Sequence, residues 1–181
     1  MKKLARLPLL FLFLASVALP AAARRDPLNN AEIDELRDAA QEPAQRIPLF
    51  VKFIRVRMVS LEQLSDDPRI IGGRAAQIHD LLEDIDTLVL EMDDNIDQYA
   101  KLNADLRKAL PVVIQMDTEL QAKLKDMKAR KVDPGEQAGS KGDLKSYRFA
   151  LDNALESATS SLENAQELLQ EQQVAFQKKK K

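Results

Sequence analysis

The sequence predicts an all-α protein: an antiparallel helical bundle of about four main helices and a short N-terminal helix, behind a cleaved signal peptide. Three observations lead there. All five glycines fall in two places, Gly72-Gly73 and Gly135, Gly139 and Gly142, a distribution that long helices leave behind. Between them, apolar residues recur at alternating steps of three and four, the spacing of one helix face. Only one segment has strand character, and a lone strand has nothing to pair with.

The chain opens with a basic stretch containing Lys2, Lys3 and Arg6, an apolar run from Leu7 to Leu19, and Pro20-Ala21-Ala22-Ala23. A charged lead, an apolar core of about 7–15 residues and a small-residue site together describe a secretory signal peptide, expected over residues 1–23 with cleavage after Ala23. The run is short for a membrane span, which needs about 20 apolar residues, and it contains Pro8. The mature product is therefore expected outside the cytoplasm, periplasmic or secreted, with no membrane span.

Loss of Lys2, Lys3 and Arg6 takes the 27 basic residues to 24, against 29 acidic ones, a formal charge of −5. Nucleic acid is a poor match to that balance, because phosphate binding needs clustered cations. The chain has no cysteine, which excludes disulfides, thiolate metal sites and thioether-linked haem. Stability must come from packing in a single domain, expected over 31–177.

Each element has its own signals. Residues 24–30 read as an extended lead-in, and Asn29 with Glu32 three positions on forms a capping-box pattern. A short helix is expected from Ala31 to Gln41, stopped by Pro43. From Pro48 to Leu64 the run Phe50-Val51-Lys52-Phe53-Ile54 has strand propensity, yet Ile47, Phe50, Ile54, Met58 and Leu61 make one helical stripe, with Pro48 suited to a first turn.

After a loop near 66–73, a seam runs through Ile78, Leu82, Ile85, Val89, Met92, Ile96 and Tyr99. It lapses around Asn103 and resumes at Leu106, Leu110, Val113, Leu120, Leu124 and Met127, with Asp117 interrupting. Either a turn near Lys101 to Ala104 separates two antiparallel helices, which is the favoured reading, or one helix bends at Pro111. Past a second loop near 132–142, the last helix is expected from Leu144 to Phe176, through Tyr147, Leu151, Leu155, Ala158, Leu162, Ala165, Leu169 and Gln172. Its alanines would let a neighbour approach closely. Lys178 to Lys181 form a basic tail, read as a solubilising end to the last helix.

Tests for chemistry exclude more than they suggest. His79, the sole histidine, has Asp80, Glu83 and Asp86 nearby in sequence, but lacks the Glu-x-x-His spacing of di-metal helical proteins. Asp93 to Asp97 opens like a calcium loop, yet Gln98 and Ala104 stand where glycine and glutamate are required. Ser157, Ser160 and Ser161 sit mid-helix with no histidine close in sequence. Met58, Met92, Met116 and Met127 read as core filler rather than haem ligands. No catalytic, cofactor or metal residue is nominated, and the chain is read as a non-enzyme.

Charge is more informative. Residues 46–64 carry Arg46, Lys52, Arg55 and Arg57 against Glu62, while 74–97 carry Arg74 against eight acids. The plain expectation is that these two helices neutralise one another; the functional one is an acidic face open to a cationic partner. The expected role is therefore an exported interaction or structural protein of the cell envelope, binding an envelope protein or itself through a helical face. The tentative contact residues are Asp80, Glu83, Asp84 and Asp94. The alternative is a small-ligand or metal carrier using the helix interior or the acidic helix, for which His79→Ala is the discriminating change.

Overall fold

The computed structural model describes residues 25–66, 73–129 and 139–178, with side chains described from 147 onward in the last of these. The expected signal peptide lies outside the described residues, as do most of the two expected loops and the last three lysines. All regular structure among the described residues is helical: α1 (Asn30–Asp38), α2 (Pro43–Asp66), α3 (Arg74–Lys101), α4 (Leu110–Ala129) and α5 (Gly139–Lys178).

The capping box forms as its spacing requires. The Asn29 side chain accepts from the amides of Ala31 and Glu32, and Glu32 accepts from the Asn29 amide at 3.0 Å, so two otherwise orphaned donors are satisfied reciprocally. The α1 helix ends three residues before the expected stop.

Pro43 does not merely terminate α1: it is the first residue of α2, where a missing amide costs nothing, and Pro48 falls inside that helix instead of opening it. The strand-like run is helical throughout. Ile47, Phe50, Ile54, Met58 and Leu61 are all buried, because at helical spacing they turn to one side.

Two helices, α3 and α4, replace the single kinked alternative. Asn103 adopts φ 58°, a left-handed conformation that asparagine tolerates better than most residues, so the chain turns without glycine. Pro111 then sits in the first turn of α4, where it breaks no hydrogen bond. The last helix begins at Gly139, five positions earlier than expected, so Gly139 and Gly142 belong to its first turns rather than to a loop.

The long helices pack around one shared core. α5 lies against both α3 and α4, α2 lies against α3 and more sparingly against α4, and α1 rests on α2. Side-chain pairs fix the directions. Arg55 meets Glu119 and Glu62 meets Lys123, so α2 and α4 run parallel. Asp86 meets Ser157 and Asp93 meets Ser161, so α3 and α5 also run parallel. Helices consecutive in sequence are antiparallel, as expected, but the 102–109 connection crosses the diagonal, and two of the four long-helix contacts are therefore parallel ones.

The core holds α3 and α4 seam residues that are 0% exposed, among them Leu82, Ile85, Val89, Met92, Leu110, Val113, Leu120 and Leu124. On α5 the innermost stripe is Ala150, Leu151, Ala154, Ala158, Ser161 and Ala165. Leu151, Ala158 and Ala165 of the expected seam are buried, but Leu155 and Leu162 are only half-buried, so beyond Leu151 the seam shifts to small residues, with Ala154 and Ser161 facing the centre. That arrangement lets α5 approach two helices at once. No helix among the described residues is long and apolar enough to cross a membrane.

Candidate functional site

Several features concentrate charge or open space, and each follows from how the helices meet.

The first lies at the N-terminal segment. The Arg25 guanidinium donates to Asp84 Oδ2 at 2.6 Å, and Asp80, Glu83, Asp84 and Thr87 close around it. Its hydrogen bond to Asp84 and the charge of that carboxylate raise the Arg25 pKa above its ordinary value. Three of the four nominated contact acids are thus brought together, but about a cation of the same chain, and Asp84 itself is buried. Asp94, the fourth, is exposed and lines a separate depression with Arg46, Glu91 and Asn95. His79 sits at the edge of this region, with Nδ1 3.9 Å from both Asp80 and Glu83. Among the described residues no three histidine, aspartate or glutamate side chains converge to hold a metal ion.

The second is the distribution of ion pairs. The cations of α2 are not spent on α3, against the plain expectation. Arg57 pairs with Glu32 and Lys52 with Glu35, both on α1, while Arg55 pairs with Glu119 on α4. Arg46 reaches α3, but to the neutral Asn95, at 2.8 Å. Among the described residues Asp93, Asp94 and Asp97 have no lysine or arginine within ion-pair distance. α2 packs on α3, but its ion-pairing cations point to α1 and α4, so the acids at Asp93, Asp94 and Asp97 are left uncompensated among the described residues.

The third is the groove where α3 and α5 meet, of ≈ 320 Å³. Ile96, Ala100, Ala165 and Leu168 give it an apolar floor, and Asp93, Asp97, Glu167 and Glu171 an acidic rim. Parallel packing of α3 and α5 aligns the two acidic rows.

Compared with known proteins, the chain matches no family model and shows no significant similarity to a curated protein or a solved structure. The site is therefore read from geometry alone.

Under the groove wall lies a polar contact in an otherwise apolar core. Ser161 Oγ is 2.7 Å from Asp93 Oδ1 and 2.9 Å from Asp117 Oδ2, so α5 joins α3 to α4 across the diagonal. Asp117 and Ser161 are 0% exposed, and among the described residues Asp117 Oδ1 has no hydrogen-bond partner. Desolvation by burial pushes the Asp117 carboxyl up to about 7 and that of Asp93 up to about 6, against the opposing pull of Ser161.

All three residues stand out or pass unnoticed separately in the sequence, where nothing joins them. Asp117 was legible as a polar residue interrupting a seam, and Asp93 as part of a failed calcium loop. Ser161 carried no signal, because the burial of a mid-helix serine depends on which face α5 turns inward.

An apolar groove of ≈ 280 Å³ also opens between α2 and α4, lined by Met58, Leu61, Leu120, Leu124 and Met127. The Glu62–Lys123 pair spans its rim at 2.5 Å. It reflects the sparse packing of those two helices.

Proposed function

We propose that this chain is exported by cleavage after Ala23 and works as a non-catalytic helical bundle that binds a cationic segment of another envelope protein. The α3–α5 groove is the binding face. The observation that carries this reading is that, among the described residues, Asp93 and Asp97 have no ion-pairing cation: Arg57, Lys52 and Arg55 of α2 are held by Glu32, Glu35 and Glu119, and Arg25 by Asp84, so the rim formed by Asp93, Asp97, Glu167 and Glu171 keeps its charge.

An apolar floor between two acidic rows suits an amphipathic basic helix, whose apolar face fills the groove while its lysines or arginines reach the rim. Complementary charge of this kind raises the rate of encounter and sets register more than it adds affinity. The tentative contact set shifts accordingly, from Asp80, Glu83, Asp84 and Asp94 to the groove residues. Export is supported by the charged lead, apolar run and small-residue site of residues 1–23.

The test is site-specific photo-crosslinking in cells that produce the protein. A photoreactive residue at position 97 or 168 should yield a discrete product whose crosslinked peptide is rich in lysine or arginine. The same residue at position 56 or 59, exposed on α2, should not. Asp97→Lys with Glu171→Lys should abolish the product. Equal products from all positions, or products indifferent to the charge reversal, would refute the reading.

A further inference from the structure

We infer that Asp93, Ser161 and Asp117 form a buried proton-binding site, in which two carboxyl groups and one hydroxyl hold a single exchangeable proton at neutral pH. Ser161 Oγ lies within hydrogen-bond distance of both carboxyl groups, 2.7 Å from Asp93 and 2.9 Å from Asp117, but a hydroxyl has one hydrogen to donate. Both contacts are hydrogen bonds only if one carboxyl is protonated and donates to the Ser161 oxygen while Ser161 donates to the other. With both ionised, one oxygen pair faces lone pair to lone pair in a desolvated place.

Position decides which group keeps the proton. Asp117 is fully buried, and its Oδ1 has no partner, which a neutral carbonyl oxygen bears at less cost than a shared negative charge. Asp93 also lines the α3–α5 groove, so its charge is nearer water. The chain therefore runs from Asp117 O–H to Ser161 Oγ, and from Ser161 O–H to the Asp93 carboxylate.

Among the described residues no surrounding element supplies a compensating cation. On α3 the charged neighbours of Asp93 are Asp94 and Asp97, and the same groove holds Glu167 and Glu171 of α5. On α4, Glu119 is held by Arg55 of α2, and α2 turns Ile54, Met58 and Leu61 to the core. Burial and like charge both favour keeping the proton, and desolvation dominates the upward shift of each carboxyl. Its release would place a second negative charge where α3, α4 and α5 meet, beside the groove wall.

The inference is independent of what the groove binds. It is tested by ¹³C NMR of the side-chain carboxyl carbons of Asp93 and Asp117, followed as the purified protein is titrated with acid and base. The expected result is two mutually dependent, biphasic curves, with one proton released between about pH 5 and pH 8 from the pair as a unit. In Asp117→Asn the Asp93 curve becomes a single step. Independent single steps complete below about pH 5 in the wild-type protein would overturn the inference, whether or not the variant folds.

Discussion

Arg57 grips Glu32 with both terminal guanidinium nitrogens, Nη2 at 2.6 Å from Oε2, while the same Glu32 closes the capping box of α1. Both side chains are about nine-tenths buried, and Arg57 Nη2 also donates to the Pro27 carbonyl at 2.5 Å. One carboxylate thus caps the N-terminus of α1, neutralises a buried cation and ties the N-terminal lead-in to α2. Removing one partner of such a pair leaves an uncompensated charge, so Glu32→Ala should destabilise the protein by about 3 kcal/mol, read from urea denaturation. A loss below about 1 kcal/mol would mean that the pair is solvated and weak.

The same pair gives an acid limb. The hydrogen bond from Arg57 chiefly lowers the Glu32 pKa below its ordinary 4.5. A depressed carboxyl contributes stability that is present above the unfolded pKa and lost as pH falls through the folded one. Thermal midpoints of the wild-type protein should therefore drop more steeply below about pH 4.5 than those of Glu32→Gln, which has no such titration.

Asp117 has the opposite sign. Its folded pKa is raised from 3.8 to about 7, so the folded state binds the proton more tightly than the unfolded chain does. Stability linked to this group is full below about pH 3.8 and is lost as pH rises through about 7. Asp117→Asn keeps the shape and removes the ionisation. It should stabilise the protein at pH 8 by on the order of a few kcal/mol at most, read as a higher thermal midpoint, and the gain should disappear near pH 4. Matched midpoints at both pH values would show that burial does not perturb this carboxyl.

Gln172 of α5 clamps the diagonal connection. Its side chain accepts from the Leu106 amide at 2.9 Å and donates to the Ala104 carbonyl at 3.0 Å. Gln172→Ala leaves two half-buried backbone groups unpaired, at a cost of about 1–3 kcal/mol. Hydrogen exchange should locate the effect: the Leu106 amide should exchange faster by a larger factor than the core amides of α3. Uniform acceleration would place the loss in global stability instead.

Much of the helix order could be read from spacing alone. The stripe of Ile47, Phe50, Ile54, Met58 and Leu61 and the Asn29–Glu32 box depend on residues within a few turns of each other, and both appear where periodicity puts them. Pro43 and Pro48 misled because proline marks a helix start and a helix stop equally well, and tertiary packing decides between them. The displaced α5 stripe has a different cause. Leu155 and Leu162 have the stronger hydrophobic signal, but three helices converging at one level leave room only for Ala154, Ala158 and Ser161. The groove was illegible for a related reason: the acids of α3 were plain in sequence, whereas their alignment with Glu167 and Glu171 depends on α3 and α5 running parallel. That follows from a connection that crosses the diagonal.

The most direct test of the account is an amide NMR titration of the purified protein with a synthetic amphipathic peptide of alternating leucine and lysine faces. Shifts should concentrate at Ile96, Ala100, Ala165 and Leu168 and at the rim acids, and be lost when Asp97 and Glu171 are both changed to lysine. Shifts spread evenly over every acidic surface, or left unchanged by that double charge reversal, would contradict the claim that the α3–α5 groove is the binding face.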